Sequence, residues 1–160
     1  MELPVDPMDL IQEEKSFNIR YGSFPEENEA AQFPATGVTT NTEYIVDVNR
    51  KGCTLSRITF QNRAYVTTVL LRLDIDSKPH QNPDGKKIGG THLHVYRQGY
   101  GETWAYELTD PRLLELCKLF DFTDIAEIQN KQDKIQWFYK FCTICNFTNS
   151  IMLKPPSMFD

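Results

Sequence analysis

The stretch Tyr65-Val-Thr-Thr-Val-Leu-Leu-Arg-Leu-Asp-Ile-Asp76 decides the fold class. From residue 71 onward, apolar and polar side chains alternate, which is the period of a β-strand with one buried face. Asp74 and Asp76 share the opposite face near the end of this strand, and the apolar face holds Val69, Leu71, Leu73 and Ile75. The alternation therefore predicts a strand over residues 65–76 in an antiparallel sheet.

Four further strands are predicted around this one. Residues 44–48 and 53–61 should pair as a hairpin, because the residues between them, Asn49-Arg-Lys-Gly52, are typical of a turn. After a loop at 77–91 that is rich in Pro and Gly, strands are predicted at 92–97 and 103–108. Together these segments predict an antiparallel β-meander of about five strands.

Helices are predicted at both ends of the chain. Asp6 can cap an N-terminal helix whose first position holds Pro7 and which runs to about residue 15. Two to three helices are expected after the last strand. Strands followed by helices indicate an α+β fold. We expect one domain over 1–160, made of an acidic helix and long loop (1–42), the sheet (43–108) and a helical part (109–160).

Charge and cysteine content limit the classes of function. The net charge is −5, and the first thirty residues hold eight acidic and two basic side chains. Because no stretch is dense in Lys or Arg, direct binding to nucleic acid is not expected, whereas an acidic arm suits a basic protein partner. The sequence has four cysteines and shows neither a signal peptide nor an apolar run of membrane-spanning length. These features predict a cytoplasmic protein that is not bound to a membrane.

The histidines point to a metal site. The chain has three, and His80, His92 and His94 all fall within fifteen residues. His92 and His94 alternate on one strand and so share a face, where Asp74 on the preceding strand can reach them. Three imidazoles and one carboxylate suit tetrahedral zinc, so we predict one zinc ion per chain held by Asp74, His80, His92 and His94. Asp76 is the alternative carboxylate, as a ligand or as a partner that orients a histidine.

Other interpretations of these residues stay open. The histidines could be hydrogen-bonded residues on a polar sheet face, or they could carry metal-free acid–base chemistry. Cys142 and Cys145 form a CxxC at the apolar end of a predicted helix, which favours packing over redox or metal chemistry.

The middle of the chain also resembles a known group of proteins. The runs Pro79-His-Gln-Asn-Pro-Asp-Gly85, His92-Leu-His-Val-Tyr-Arg-Gln-Gly-Tyr-Gly101 and Trp104-Ala-Tyr106 resemble a family of small uncharacterised proteins from Gram-positive bacteria and their prophages. That resemblance implies a protein of a mobile element, a setting in which inhibitors of host defence, including anti-CRISPR proteins, are common. It implies no activity.

Two hypotheses of function follow. The first is a zinc-stabilised, non-enzymatic binding protein that inhibits a host defence protein, such as a CRISPR effector nuclease with basic surfaces, by direct protein–protein interaction. The second is a metal-dependent hydrolase or nuclease that uses His80, His92 and His94, with water at the fourth position and the carboxylate of Asp74, Asp76 or Glu102 as base.

Overall fold

The structure, a computed structural model, describes residues 3–52, 57–113 and 134–156. The helices are α1 (Pro7–Gln12) and α2 (Lys134–Ile144), and the strands are β1 (Lys15–Phe17), β2 (Tyr21–Ser23), β3 (Ala30–Gly37), β4 (Glu43–Asn49), β5 (Ile58–Ala64), β6 (Thr68–Ile75), β7 (His80–Gln81), β8 (Lys87–Ile88), β9 (His92–Val95), β10 (Ala105–Glu107) and β11 (Met152–Lys154).

Most of the described strands belong to one sheet. Seven strands pair in the order β1-β3-β4-β5-β6-β9-β10, and each of these pairs is antiparallel. Within the described ranges, β2 and β11 form a separate parallel ribbon and β7 and β8 form a short hairpin. Strands β6 and β9, which carry the predicted site, are neighbours inside the large sheet.

The α+β prediction is wrong, because the protein is mostly β. Strands make up 41% and helices 15% of the described part of the chain, which contains two helices and a seven-stranded sheet where about five strands were predicted. Of the helix predicted from about residue 110, only the start, at residues 112 and 113, is described, and the start of the predicted strand at 53 lies outside the described residues. The predicted cap is confirmed, since the Asp6 side chain accepts from the backbone N–H of Met8, but α1 ends at Gln12 rather than near residue 15.

The long loop predicted after the first helix, within residues 1–42, is where the extra strands arise. Pro34 and Gly37 are residue types common in turns, yet both lie in β3, which pairs with β4 from Ala30 to Thr36. Strand β1 covers the other edge of β3 only from Ala35 to Gly37. At Pro34 that edge of β3 therefore has no strand beside it, and proline is tolerated at such an edge.

Helix α2 covers one face of the sheet with aromatic side chains. The Phe138 ring is the centre of this cluster, with centroids of four other rings between 5.6 and 6.5 Å away, those of Phe17, Phe24, Phe33 and Phe60. Aromatic pairs at this spacing add to the free energy gained from burying their area. The opposite face of β6 and β9 is consequently left for polar residues.

Lys15 joins the two helices beneath this core. Its side chain is fully buried, and its ammonium group donates to the carbonyls of Ile11 and Glu13, both at 2.9 Å, and of Cys145, at 2.7 Å. These carbonyls lie at the C-terminal ends of α1 and α2, where backbone acceptors have no partner within the helix. The buried charge is therefore held by the negative ends of both helices.

The segment 77–91 folds back over the polar face of the sheet. Asn82, which is buried, holds it there by accepting from the Ala105 N–H (2.8 Å) and donating to the Ala105 carbonyl (2.9 Å). The base of the segment closes through a hydrogen bond from Ser77 N–H to Gly90 O. A β-carbon at position 90 would lie 2.4 Å from the Ser77 carbonyl oxygen, so this closure requires glycine.

Candidate metal centre

Pairing of β6 with β9 brings the predicted aspartate and two of the histidines together. In the register of these strands, Asp74 lies opposite His92 and Arg72 lies opposite His94. Because side chains alternate along a strand, these four residues project from one face, and their apolar neighbours project into the core on the other. The prediction that His92 and His94 share a face with Asp74 is confirmed.

The ligand atoms of these residues converge on one point. His92 Nε2 lies 3.2 Å and His94 Nε2 lies 3.3 Å from the same carboxylate oxygen, Asp74 Oδ2. One potential ligand atom from each of the three residues lies within 4.8 Å of the other two, and the residues are 8%, 1% and 1% exposed for Asp74, His92 and His94. In the described part of the chain, this is the one group of three such residues that could hold a metal ion.

Hydrogen bonds to backbone carbonyls orient both imidazole rings. His92 Nδ1 contacts the Gly89 carbonyl oxygen, and His94 Nδ1 lies 2.7 Å from the Glu102 carbonyl oxygen. A carbonyl can only accept, so each Nδ1 carries a proton, and in the neutral form of each ring Nε2 presents a lone pair. Metal-binding histidines are commonly oriented in this way, by a carbonyl that fixes the tautomer.

The result is a cluster of acceptors. Two Nε2 lone pairs and a carboxylate oxygen face one another, and acceptors at this distance need a shared cation or an added proton between them. Arg72 provides part of this positive charge, because its Nη2 donates to His94 Nε2 over 3.0 Å and its Nε lies 3.3 Å from Asp74 Oδ1. His92 Nε2 and Asp74 Oδ2 lie 3.2 Å apart, a distance that a proton on the imidazole or a shared cation can bridge.

The electrostatics of the cluster favour an anionic carboxylate and a neutral histidine. Burial alone raises the pKa of Asp74, but its contacts with His92 and His94 and the Arg72 charge outweigh that effect and hold it far below the usual range. Burial lowers the pKa of His94, and the nearby Arg72 charge lowers it further, against the opposing effect of Asp74. A negative oxygen and a deprotonated imidazole are the forms that bind metal ions.

His80 and Asp76 lie beside the group rather than in it. The His80 ring centroid is 4.6 Å from that of His94 and 5.8 Å from that of His92, but His80 Nε2 is directed to the Thr103 carbonyl oxygen at 2.7 Å. Asp76 is exposed and follows the end of β6. The structure thus brings together three of the four predicted ligands, and it favours Asp74 over Asp76 as the carboxylate.

Sequence analysis missed the residues that support the ligands. Arg72 is one, and Thr59 is another, since its hydroxyl donates to Asp74 Oδ1 at 3.0 Å. Alternation along β6 was a usable signal for Arg72, which is two residues from Asp74. The backbone carbonyls of Gly89 and Glu102 could not be predicted as contacts, because a side-chain pattern does not reveal where a carbonyl points. Glu102 was considered as a base, but at this site it contributes its backbone oxygen.

The CxxC does not resemble a reactive site. Cys142 and Cys145 are both free thiols, exposed by 6% and 0%, on the side of α2 that faces the core. Burial raises the pKa of the Cys142 thiol well above its ordinary value, and a thiolate is the form that reacts or binds metal. Packing is therefore the role that the structure supports for this pair.

Comparison with known proteins gives one match. Residues 7–147 match the profile of a protein family described as a family of unknown function, DUF6978. No curated protein and no solved structure matches the chain. Neither of the helices in the described ranges is long and apolar enough to cross a membrane.

Proposed function

The chain belongs to this family of unknown function, and we propose from its site that the protein binds one zinc ion through Asp74, His92 and His94 and acts by binding rather than by catalysis. The observation that carries the proposal is the convergence of three acceptor atoms, two of them on imidazoles whose other nitrogen is tied to a carbonyl. A cation at their centre satisfies all three at once.

The donor set supports zinc in particular. Two imidazole nitrogens and one carboxylate oxygen are ordinary zinc ligands, and zinc accepts the roughly tetrahedral arrangement that side chains on two adjacent strands can offer. Imidazole also suits copper, nickel and iron, so the metal must be identified by measurement.

The position of the group supports a stabilising role for the ion. Its ligands come from neighbouring strands, and the carbonyls that orient them belong to the segments 77–91 and 96–104. An ion bound there would tie both segments to the sheet. Because the histidines are 1% exposed, a large substrate has little access to the ion, which favours binding over turnover. Inhibition of a host defence protein such as a CRISPR nuclease stays a prediction from the sequence.

The open coordination position supports a second candidate, a metal-dependent hydrolase. Three protein ligands leave the fourth position of a tetrahedral ion for water, as in catalytic zinc sites. The two candidates differ in turnover. Metal-dependent cleavage of a phosphodiester or nucleic acid by the wild-type protein, lost in His92→Gln, would support the hydrolase and contradict the binding proposal.

Elemental analysis of untagged, as-purified protein tests the metal site directly. We expect close to one zinc ion per chain, and we expect the Tm of the wild-type protein to fall when a chelator removes it. Asp74→Asn, His92→Gln and His94→Gln should lose both the ion and this response to the chelator. His80→Gln is the matched control, because its ring lies beside the group while its Nε2 bonds elsewhere. A tenfold loss of zinc affinity in that variant would make His80 a ligand.

Two results would contradict the proposal. One is wild-type protein that contains no transition metal and takes up no zinc on dialysis. The other is zinc that persists unchanged in all three ligand variants. Circular dichroism of each variant keeps the comparison valid, because a variant that fails to fold would lose the ion for a trivial reason.

A further inference from the structure

We propose that the metal-loaded site binds an oxyanion, a carboxylate or phosphate group, which bridges the metal ion and the guanidinium of Arg72. This inference rests on the proposed function and names the ligand class of the same site. Three observations support it: the charge of the loaded site, the position of Arg72 and the number of protein ligands.

The loaded site carries excess positive charge. A divalent ion and Arg72 together contribute three positive charges, and Asp74 supplies one negative charge. In the described residues, no second carboxylate forms an ion pair with Arg72, His92 or His94. Buried charge is costly unless it is paired, so the loaded site has a strong preference for an anion.

Arg72 is placed to hold that anion. Its Nη2 donates to the His94 Nε2 lone pair, which a metal ion would take, so loading must free the guanidinium. The Arg72 side chain is 30% exposed, whereas the two histidine side chains are 1% exposed. When an ion displaces the guanidinium, that group can therefore move only toward the solvent beside the ion. The Arg72 Nε is buried and stays beside Asp74, 3.3 Å from Asp74 Oδ1, so the terminal nitrogens are the donors that an incoming oxygen would meet. A guanidinium matches the geometry of carboxylate and phosphate oxygens.

The ion keeps a position for the anion. Three described residues supply ligand atoms, and a tetrahedral ion with three protein ligands takes a water or another ligand in the fourth place. His80, the nearest further imidazole, has its Nε2 on the Thr103 carbonyl oxygen. One oxygen of the anion would occupy the fourth position while a second accepts from Arg72. No covalent bond is made or broken in this step.

Cobalt-substituted protein provides the test, because the visible spectrum of tetrahedral Co²⁺ responds to a change of its fourth ligand. The protein is loaded with Co²⁺ and titrated separately with sodium phosphate and sodium acetate. We expect a saturable spectral change with at least one of them, and the anion that saturates at lower concentration identifies the ligand class.

Variants separate the role of Arg72 from a general effect of charge. Arg72→Met should keep the cobalt spectrum and weaken anion binding at least tenfold. Arg63→Met is the matched control on the same face, where Arg63 pairs with Asp47 at 2.7 Å, and it should leave anion binding unchanged.

Each outcome is decisive. Failure to bind Co²⁺ would contradict the proposed metal site itself. A cobalt spectrum that neither anion alters would overturn the anion proposal alone, as would equal anion affinity in the wild type and Arg72→Met. A response that appears only in His80→Gln would also overturn it, because His80 would then fill the fourth position.

Discussion

Replacing Arg72 by Met should tighten zinc binding. In the structure, Arg72 Nη2 lies 3.0 Å from His94 Nε2, the atom that a metal ion would bind, and the guanidinium also faces Asp74. The metal ion and this side chain therefore compete for the same two residues. Methionine keeps much of the unbranched stem that packs on the sheet but removes both the donors and the charge, so the competition ends.

The size of the effect follows from the distances. A zinc–nitrogen bond of about 2.1 Å would put the ion within roughly 5 Å of an unmoved guanidinium, so Arg72 must retreat. At about 6 Å, a divalent ion and a single positive charge repel by about 1.4 kcal/mol even at the dielectric constant of water. That energy corresponds to about tenfold in affinity, and the partial burial of the site makes it a lower limit.

Competition with a chelator of known zinc affinity measures this change, in buffer free of phosphate and carboxylate. Arg72→Lys keeps the charge and should bind zinc much as the wild type does, whereas Arg63→Met should have no effect. High salt should narrow the difference, since it screens the half-exposed charge. Unchanged or weaker zinc affinity in a folded Arg72→Met protein would refute the reasoning, because Arg72 would then support the site rather than compete for it.

Four further predictions concern the fold. Lys15→Met removes the side-chain donor from three carbonyls, two of them in buried contacts, and should lower the free energy of unfolding by about 3 kcal/mol or more, measured by urea denaturation. Burial raises the pKa of Glu13, but hydrogen bonds, led by that from Tyr44, outweigh burial and lower it. The ionised Glu13 carboxylate therefore stabilises the fold above the usual pKa of glutamate, and this stabilisation disappears as the pH falls through the lower pKa of the folded state. Glu13→Gln should shift the midpoint of urea unfolding at pH 7 but not in strong acid. Val66→Gly should raise stability by about 1 kcal/mol, because Val66 lies in a hairpin turn with φ of 67°. The Cys142 thiol should resist a thiol reagent until the protein unfolds, tested with the cysteines outside the described residues replaced by Ser; fast reaction of folded protein would contradict its burial.

Local alternation was enough to predict the part of the sheet that carries the site. The strand predicted at 65–76 contains β6, and the one at 92–97 contains β9. A period of two also fixes which side chains share a face, which is why Asp74 could be grouped with His92 and His94 from the sequence.

The remainder depended on contacts between distant segments. Strands β1, β2 and β11 are each three residues long, too short for a periodic pattern, and β2 pairs with β11 from the other end of the chain. The direction of His80 is equally non-local, because it depends on how the segment 77–91 meets the Thr103 carbonyl. The fold class was therefore mispredicted although the central strands were found.

The same sheet face contains two polar clusters that differ in a way that bears on function. Arg63 and Asp47 form a complete pair, in which two guanidinium nitrogens donate to the two carboxylate oxygens at 2.7 and 2.9 Å. At the neighbouring cluster, the Arg72 guanidinium contacts His94 Nε2 and the Asp74 carboxylate but not His92 Nε2, whose recorded partner is Asp74 Oδ2. A face that needed only stability would repeat the first arrangement, because buried acceptors without donors lower stability. The group around Asp74 could hold a cation, and under the proposal above the competition between that cation and Arg72 is the property by which the two clusters can be told apart in solution.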